Sequence, residues 1–297
     1  NMPGELRLII VSGLSGSGKS VALHVLEDLG YYCIDNLPAG LLVPAVEEIR
    51  SGNAEATNRL AVGVDARNHP DNLDVLPEML HQLQSQGVST DVIFLQAADD
   101  ILLKRYGESR RRHPLAEAGM QLRAAIESER SILAEIELSA DLVIDTSETS
   151  IYQLADIIRS RVDRRQAESL SVLVESFGFK YGIPADADFV FDLRSLPNPY
   201  WTLKLRGLTG LDREVQAFLD EQEKYGAMYE DITAFLERWV PHYRDANRGY
   251  MTIAIGCTGG QHRSVYMAEK VTARLRQLHD DVLTRHNALP EQRLIRD

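Results

Sequence analysis

Only two cysteines, Cys33 and Cys257, occur in 297 residues, so a disulfide framework is excluded. A reducing, cytoplasmic setting is the expectation. Apolar runs are short; none approaches the roughly 20 residues of a membrane span. No membrane partner is expected, and no signal peptide is recognisable. Asn1 ahead of Met2 is expected to be an expression leftover and is set aside. Basic charge is scarce: 32 Lys and Arg face 44 Asp and Glu, a net charge of −12. That balance disfavours non-specific adhesion to nucleic acid or acidic membranes, although a local basic patch remains compatible with it. The remaining composition, 44% hydrophobic and 26% charged, is ordinary for globular proteins. At this length two domains are expected.

Residues 13–20 read GLSGSGKS: Gly13, Leu14, Ser15, Gly16, Ser17, Gly18, Lys19, Ser20. They fit the phosphate-loop pattern G-x-x-x-x-G-K-[ST]. A short apolar run, Leu8 to Val11, precedes it and reads as a buried strand. A helical pattern, Val21 to Leu29, follows and stops at Gly30. Strand, glycine loop and helix form the context that makes this pattern a triphosphate site. Glycines let the backbone aim its amides at phosphate, and the helix N-terminus adds positive potential. Lys19 supplies a mobile cation for the outer phosphates, and the Ser20 hydroxyl is a ligand for Mg2+ accompanying ATP or GTP.

Further apolar runs, Tyr31 to Ile34, Leu60 to Val64, Asp91 to Leu95 and Leu142 to Ile144, alternate with amphipathic stretches near 73–86, 116–137 and 151–165. This alternation predicts an α/β fold with a parallel sheet covered on both faces. The P-loop, Asp35, Asp65 and Asp145 are expected at the carboxyl ends of its strands, where ligands bind. Asp35 suits a magnesium ligand or a base for a substrate hydroxyl, or simply a turn. Asp65 and Asn68 suit a base or ribose and Arg67 a phosphate; a strand-ending turn fits equally. Arg105, Arg110, Arg111 and Arg112, on or beside a short loop, resemble the mobile arginine lid of small nucleotide kinases.

Charge divides unevenly. Residues 1–167 carry 16 basic and 25 acidic side chains, and residues 168–297 carry 16 and 19. The domain boundary is placed near 167–169, giving domains 2–167 and 168–297, and the second is the better candidate for an anionic partner. There, 170–179 and 189–193 read as strands, 212–224 and 227–239 as helices. Met251 to Gly256 reads as a strand leading into Cys257 to Ser264, CTGGQHRS, and a helix from about Val265. This is a second strand–loop–helix anion site, and it also matches the C-x5-R-[ST] loop of cysteine phosphatases. Two chemistries fit it: phosphatase turnover by Cys257 with Asp192 as acid, or binding of a phosphorylated ligand without cleavage.

With GLSGSGKS, the stretches YYCIDNLP (31–38), DARN (65–68), RYGESRRRHPL (105–115), SFGFKYGIP (176–184), FDLRSLPNPYW (191–201) and GCTGGQHRSVY (256–266) make the chain resemble the bacterial RapZ/YvcJ nucleotide-binding proteins, the RNase adapter family, throughout its length. The resemblance implies a kinase-like N-terminal P-loop domain that binds and slowly hydrolyses ATP and GTP. ATP would lie on Gly13 to Ser20 and GTP on Asp65, Ala66, Arg67 and Asn68; Lys19, Ser20 and Asp35 would be catalytic, with Ser20 and Asp35 on Mg2+. It implies a smaller C-terminal α/β domain with a phosphate-binding loop. That domain would sense glucosamine-6-phosphate through Asp192, Arg194, Cys257, Thr258, Gly259, His262 and Arg263. A small regulatory RNA, an endoribonuclease partner and a homo-oligomer are implied as well. Leu14, Tyr200 and Gln261 depart from the family pattern, which has a basic residue, histidine and lysine there, and the tail 285–291 lacks a dense Lys/Arg end. The alternatives are a small-molecule kinase with Asp35 as base and an RNA-binding adapter whose P-loop is only structural.

Overall fold

Two parallel sheets, one in each half of the chain, organise the protein. The computed structural model describes residues 6–51, 58–68, 73–109, 113–115, 121–163, 169–246 and 248–289. They fall into two units, Asn1–Ala167 and Glu168–Asp297.

In the first unit, β1 (Arg7–Gly13), β2 (Tyr32–Ile34), β3 (Arg59–Gly63), β4 (Ser89–Gln96) and β5 (Leu142–Asp145) run parallel in the order β2-β3-β1-β4-β5. Leu8, Ile9, Ile10 and Val11 are fully buried, as expected of a central strand covered on both faces. The helices are α1 (Lys19–Asp28), α2 (Leu42–Ser51), α3 (Leu76–Ser85), α4 (Asp99–Ser109), α5 (Leu122–Leu138) and α6 (Ile151–Ile157). Ser150 and Gln153 form a reciprocal capping box that starts α6. The strand order reverses on either side of β1, which puts the loop after β1 at the topological switch point. This is the P-loop kinase-like arrangement expected from the sequence.

The second unit holds β6 (Ser171–Gly178), β7 (Phe189–Asp192), β8 (Tyr250–Cys257) and β9 (Val282–His286), all parallel, in the order β7-β8-β6-β9. Helices α7 (Arg213–Asp220), α8 (Glu223–Asp245) and α9 (Arg263–Leu275) accompany it. Every residue of β6 and β8 is buried. Val172, Val174, Ile253 and Ile255 pack with Tyr225, Leu236, Met267 and Val271 in one core.

Several boundaries differ from the sequence reading. The stretch expected helical over 151–165 is α-helical only to Ile157 and then widens into a π-helical turn, Ile158–Asp163. Of the stretch 116–137, the helix is described from Leu122; residues 116–120 lie outside the described residues. The last helix begins at Arg263, two residues early, because the loop turns directly into it. Helices α2 and α4 and strand β9 have no counterpart in the sequence reading. In β9 only Val282 and His286 are buried, so its pattern reads as polar.

Candidate functional site

The phosphate loop runs from the end of β1 to the start of α1. Gly13, Gly16 and Gly18 take φ of 148°, 88° and 112°, which side-chain-bearing residues rarely adopt. A Cβ at Gly13 would also overlap the Leu95 carbonyl oxygen on β4. The N-terminus of α1 has no side-chain cap, so its first amides stay available to an anion. Ser20 is exposed there.

Beside this loop, at the carboxyl ends of β2 and β3, two acids converge on the P-loop lysine. Lys19 Nζ donates to Asp35 Oδ1 at 2.6 Å and to Asp65 Oδ2 at 3.2 Å. Gly63 makes room for Asp35: a Cβ there would lie 2.6 Å from Asp35 Oδ1. The neighbouring Asn36 holds a left-handed φ of 54°, which asparagine tolerates. Arg67 forks onto Asp65 through Nε and a terminal nitrogen. Burial pushes the Asp65 carboxyl up, yet the hydrogen bonds from Arg67 and the charge of Lys19 outweigh it and hold it below its ordinary range. Asn68 is turned inward: its Oδ1 accepts from the Ala39 amide at 2.8 Å, and its Nδ2 donates to the Leu37 and Asp65 carbonyls. Ala66 is buried. Of the motif 65–68, then, only Arg67 reaches the surface.

The outer side of the phosphate loop is fastened by Arg105, expected in a lid, and by Thr146 and Glu129, which no motif singles out. Arg105 lies inside α4 rather than on a loop, and its guanidinium donates to the Gly16 carbonyl at 2.9 Å and to Thr146. The Thr146 hydroxyl donates to the Ser17 carbonyl at 2.7 Å. Glu129 of α5 accepts from both Ser15 polar groups. No spacing rule links Glu129 and Thr146 to a loop more than 100 positions away, which is why no motif reveals them. Asp145 accepts from the Ser147 amide at 2.8 Å and closes a turn. Arg110, Arg111 and Arg112 lie outside the described residues.

In the second unit the strand ends bring Gly178, Asp192, Cys257 and His286 to one edge. The loop 257–263 folds against β6: a Cβ at Gly260 would lie 2.6 Å from the Gly178 nitrogen, and Gly260 has φ 71°. Thr258 is exposed, Gly259 partly so, and α9 has no side-chain cap. Asp192 and Arg194 form a forked ion pair, with Arg194 Cζ 3.8 Å over the Phe179 ring. The hydrogen bond from Arg194 holds the Asp192 carboxyl below its usual range.

Arg263 is oriented differently from the sequence expectation. It is 2% exposed, and one terminal nitrogen donates to the Leu193, Arg194 and Leu196 carbonyls, the other to the Thr258 hydroxyl. Its fork therefore ties the segment after β7 to the loop. Cys257, also 2% exposed, bonds the Ser264 hydroxyl at 3.2 Å. Burial pushes its thiol up, but hydrogen bonds from Ser264 and the charge of Arg263 bring it below its ordinary value. Burial pushes His262 down. Its Nε2 is a buried nitrogen with no hydrogen-bond partner among the described residues.

Among the described residues no cluster of three His, Cys, Asp or Glu side chains suits a metal ion, and no helix is long and apolar enough to cross a membrane. Comparison with known proteins finds a family profile described as the RapZ-like N-terminal domain over residues 6–166 and one described as the RapZ C-terminal domain over 170–290. A nucleotide-binding protein of Thioalkalivibrio sulfidiphilus is 50% identical over 285 residues, covering 96% of this chain and all of that protein. A nucleotide-binding protein of Halorhodospira halophila is 51% identical over 284 residues, covering 96% and 99%. Among solved structures, a shikimate kinase from Acinetobacter baumannii in complex with shikimate matches 52% of this chain and 92% of its own, at 19% identity and a TM-score of 0.34.

Proposed function

This chain belongs to the RapZ-like family in both of its domains, and from that premise we propose that its first half binds and slowly hydrolyses ATP or GTP while its second half binds a phosphorylated amino sugar such as glucosamine-6-phosphate. The observation that carries the nucleotide reading is the meeting of Lys19, Asp35 and Asp65 beside an uncapped helix N-terminus. Two of the three Lys19 N–H donors go to carboxylates, and the flexible stem leaves the third for a phosphate oxygen. The amides of the α1 N-terminus supply further donors without rearrangement. Ser20 and Asp35 would hold magnesium, an all-oxygen donor set that suits this hard cation. Bound there, magnesium would neutralise charge on the outer phosphate oxygens. Asp35, its side chain 53% exposed, would also orient the attacking water or another hydroxyl.

For the second half, support comes from the exposed loop Thr258–Gly259 running into the uncapped start of α9, with Asp192, Arg194, Cys257 and His262 around it. Arg263 contributes by shaping this loop. RNA binding is a second reading, favoured by Lys180, Arg194 and Arg206 lying 4.6, 3.8 and 4.6 Å over the rings of Tyr181, Phe179 and Tyr200. The test is phosphate release from labelled ATP and GTP by the full chain, with and without candidate hydroxyl acceptors, beside a calorimetric titration with glucosamine-6-phosphate. Slow release to water and saturable sugar binding are expected. Rapid transfer to an acceptor would make the protein a kinase instead. Absence of sugar binding by folded protein would remove the second half of the proposal.

A further inference from the structure

Glu129 is a carboxylate with 1% exposure that no phosphate-loop motif contains. It lies on α5, 114 positions from Ser15, yet it takes both polar groups of that residue: the Ser15 amide donates to Oε2 at 3.0 Å and the Ser15 hydroxyl to Oε1 at 2.6 Å. A third donor comes from His113, whose Nε2 lies 3.0 Å from Oε2. The Leu115 amide donates to His113 Nδ1 at 3.1 Å, so Nδ1 is an acceptor and the proton of the neutral ring sits on Nε2. The carboxylate thus receives three hydrogen bonds, which is how a buried charge is kept.

These bonds act on the loop from outside. The Ser15 amide faces Glu129, the Gly16 carbonyl accepts from Arg105, and the Ser17 carbonyl accepts from Thr146. Three consecutive loop residues are therefore pinned by α5, α4 and the end of β5. The Ser17 amide closes onto the Leu14 carbonyl at 2.9 Å. The uncapped start of α1 follows at Lys19.

We propose that Glu129, backed by His113, is a positioning residue for the phosphate loop: by holding Ser15 at its amide and hydroxyl it fixes the loop amides in the geometry that a triphosphate needs. This rests on the nucleotide-binding reading above. Glutamine at this position would turn an amide donor toward donors already there, from Ser15 or His113, without changing shape.

The experiment is calorimetric titration of the full chain, native, Glu129→Gln, Ser15→Ala and the double variant, with Mg-ATP and with inorganic tripolyphosphate, alongside thermal melting. Glu129→Gln is expected to weaken both ligands by the same factor, about tenfold or more, because the defect lies in the phosphate loop. The double variant is expected to bind no worse than Glu129→Gln alone, since both changes break one link. Native affinity for both ligands in a folded Glu129→Gln chain overturns the inference, and so do fully additive losses. If Glu129→Gln fails to fold, Ser15→Ala decides: severalfold weaker binding supports the link, and unaltered binding overturns it. Failure of the native chain to bind Mg-ATP would overturn the nucleotide reading itself, a separate result.

Discussion

Lys19 and Asp65 meet at 3.2 Å across 46 positions of sequence, joining the phosphate-loop lysine to the end of β3. Asp65 is 5% exposed and is held by Arg67 as well, so its charge is paired twice. Its folded pKa is lowered from 3.8. A carboxyl of this kind contributes stability that is fully present above its unfolded pKa and is lost as pH falls through the lower folded value. Asp65→Asn should remove that dependence. Melting curves between about pH 5 and 3 should therefore fall more steeply for the native chain than for the variant. Parallel curves would contradict this.

Within 65–68 the side chains of Asp65 and Asn68 are already engaged inside the protein, and Arg67 alone is exposed. The Asp65 oxygens accept from Lys19 and Arg67, and Asn68 is consumed by Ala39, Leu37 and Asp65. ATP and GTP are accordingly expected to displace each other from one site on the phosphate loop. Equilibrium dialysis with both nucleotides should give a combined stoichiometry of about one. Simultaneous saturation by both would contradict this and support a separate GTP site at 65–68.

Arg263 spends its guanidinium on three carbonyls and Thr258, and Cys257 is buried beneath the loop. A phosphatase would need both turned toward substrate. The protein is expected to show no turnover of a simple phosphomonoester, and Cys257→Ser should leave glucosamine-6-phosphate affinity within about threefold, under 1 kcal/mol. Arg263→Ala removes a donor from the Leu193, Arg194 and Leu196 carbonyls, of which Leu193 keeps the Leu196 amide, and should cost about 1–3 kcal/mol of stability. Cysteine-dependent phosphate release would contradict the assignment.

His286 joins three elements: Nδ1 bonds Ser176 of β6 at 2.8 Å and Nε2 bonds Glu269 of α9 at 2.8 Å. Ser176 is fully buried. His286→Ala strands its hydroxyl and should destabilise the second unit by about 1–3 kcal/mol. Both tryptophans, Trp201 and Trp239, lie in that unit, so urea unfolding followed by their fluorescence reads it directly.

The phosphate loop, the parallel sheet around it and the loop 257–263 are legible because strand–glycine–helix spacing is local, whereas the strand order is not. Lys19 is recognisable in its loop motif, and Asp35 and Asp65 at strand ends, where a parallel sheet gathers its loops. Glu129, His113 and Thr146 are not, because their contacts with residues 15–17 exist only after α5 and β5 have packed. Arg105 and Arg263 look alike in sequence, as exposed phosphate-binding arginines. Packing turns both onto backbone carbonyls instead. Helix α4 went unread since Gly107 and its charges mask a helix that buries only Leu102.

Lys19 and the loop around it are expected to bind a nucleoside triphosphate. Calorimetric titration of the full chain with Mg-ATP, native against Lys19→Ala, tests it most directly. Saturable binding near one equivalent is expected for the native chain, with a loss of about a hundredfold or more in a variant that remains folded by circular dichroism. Equal affinity in both would contradict it.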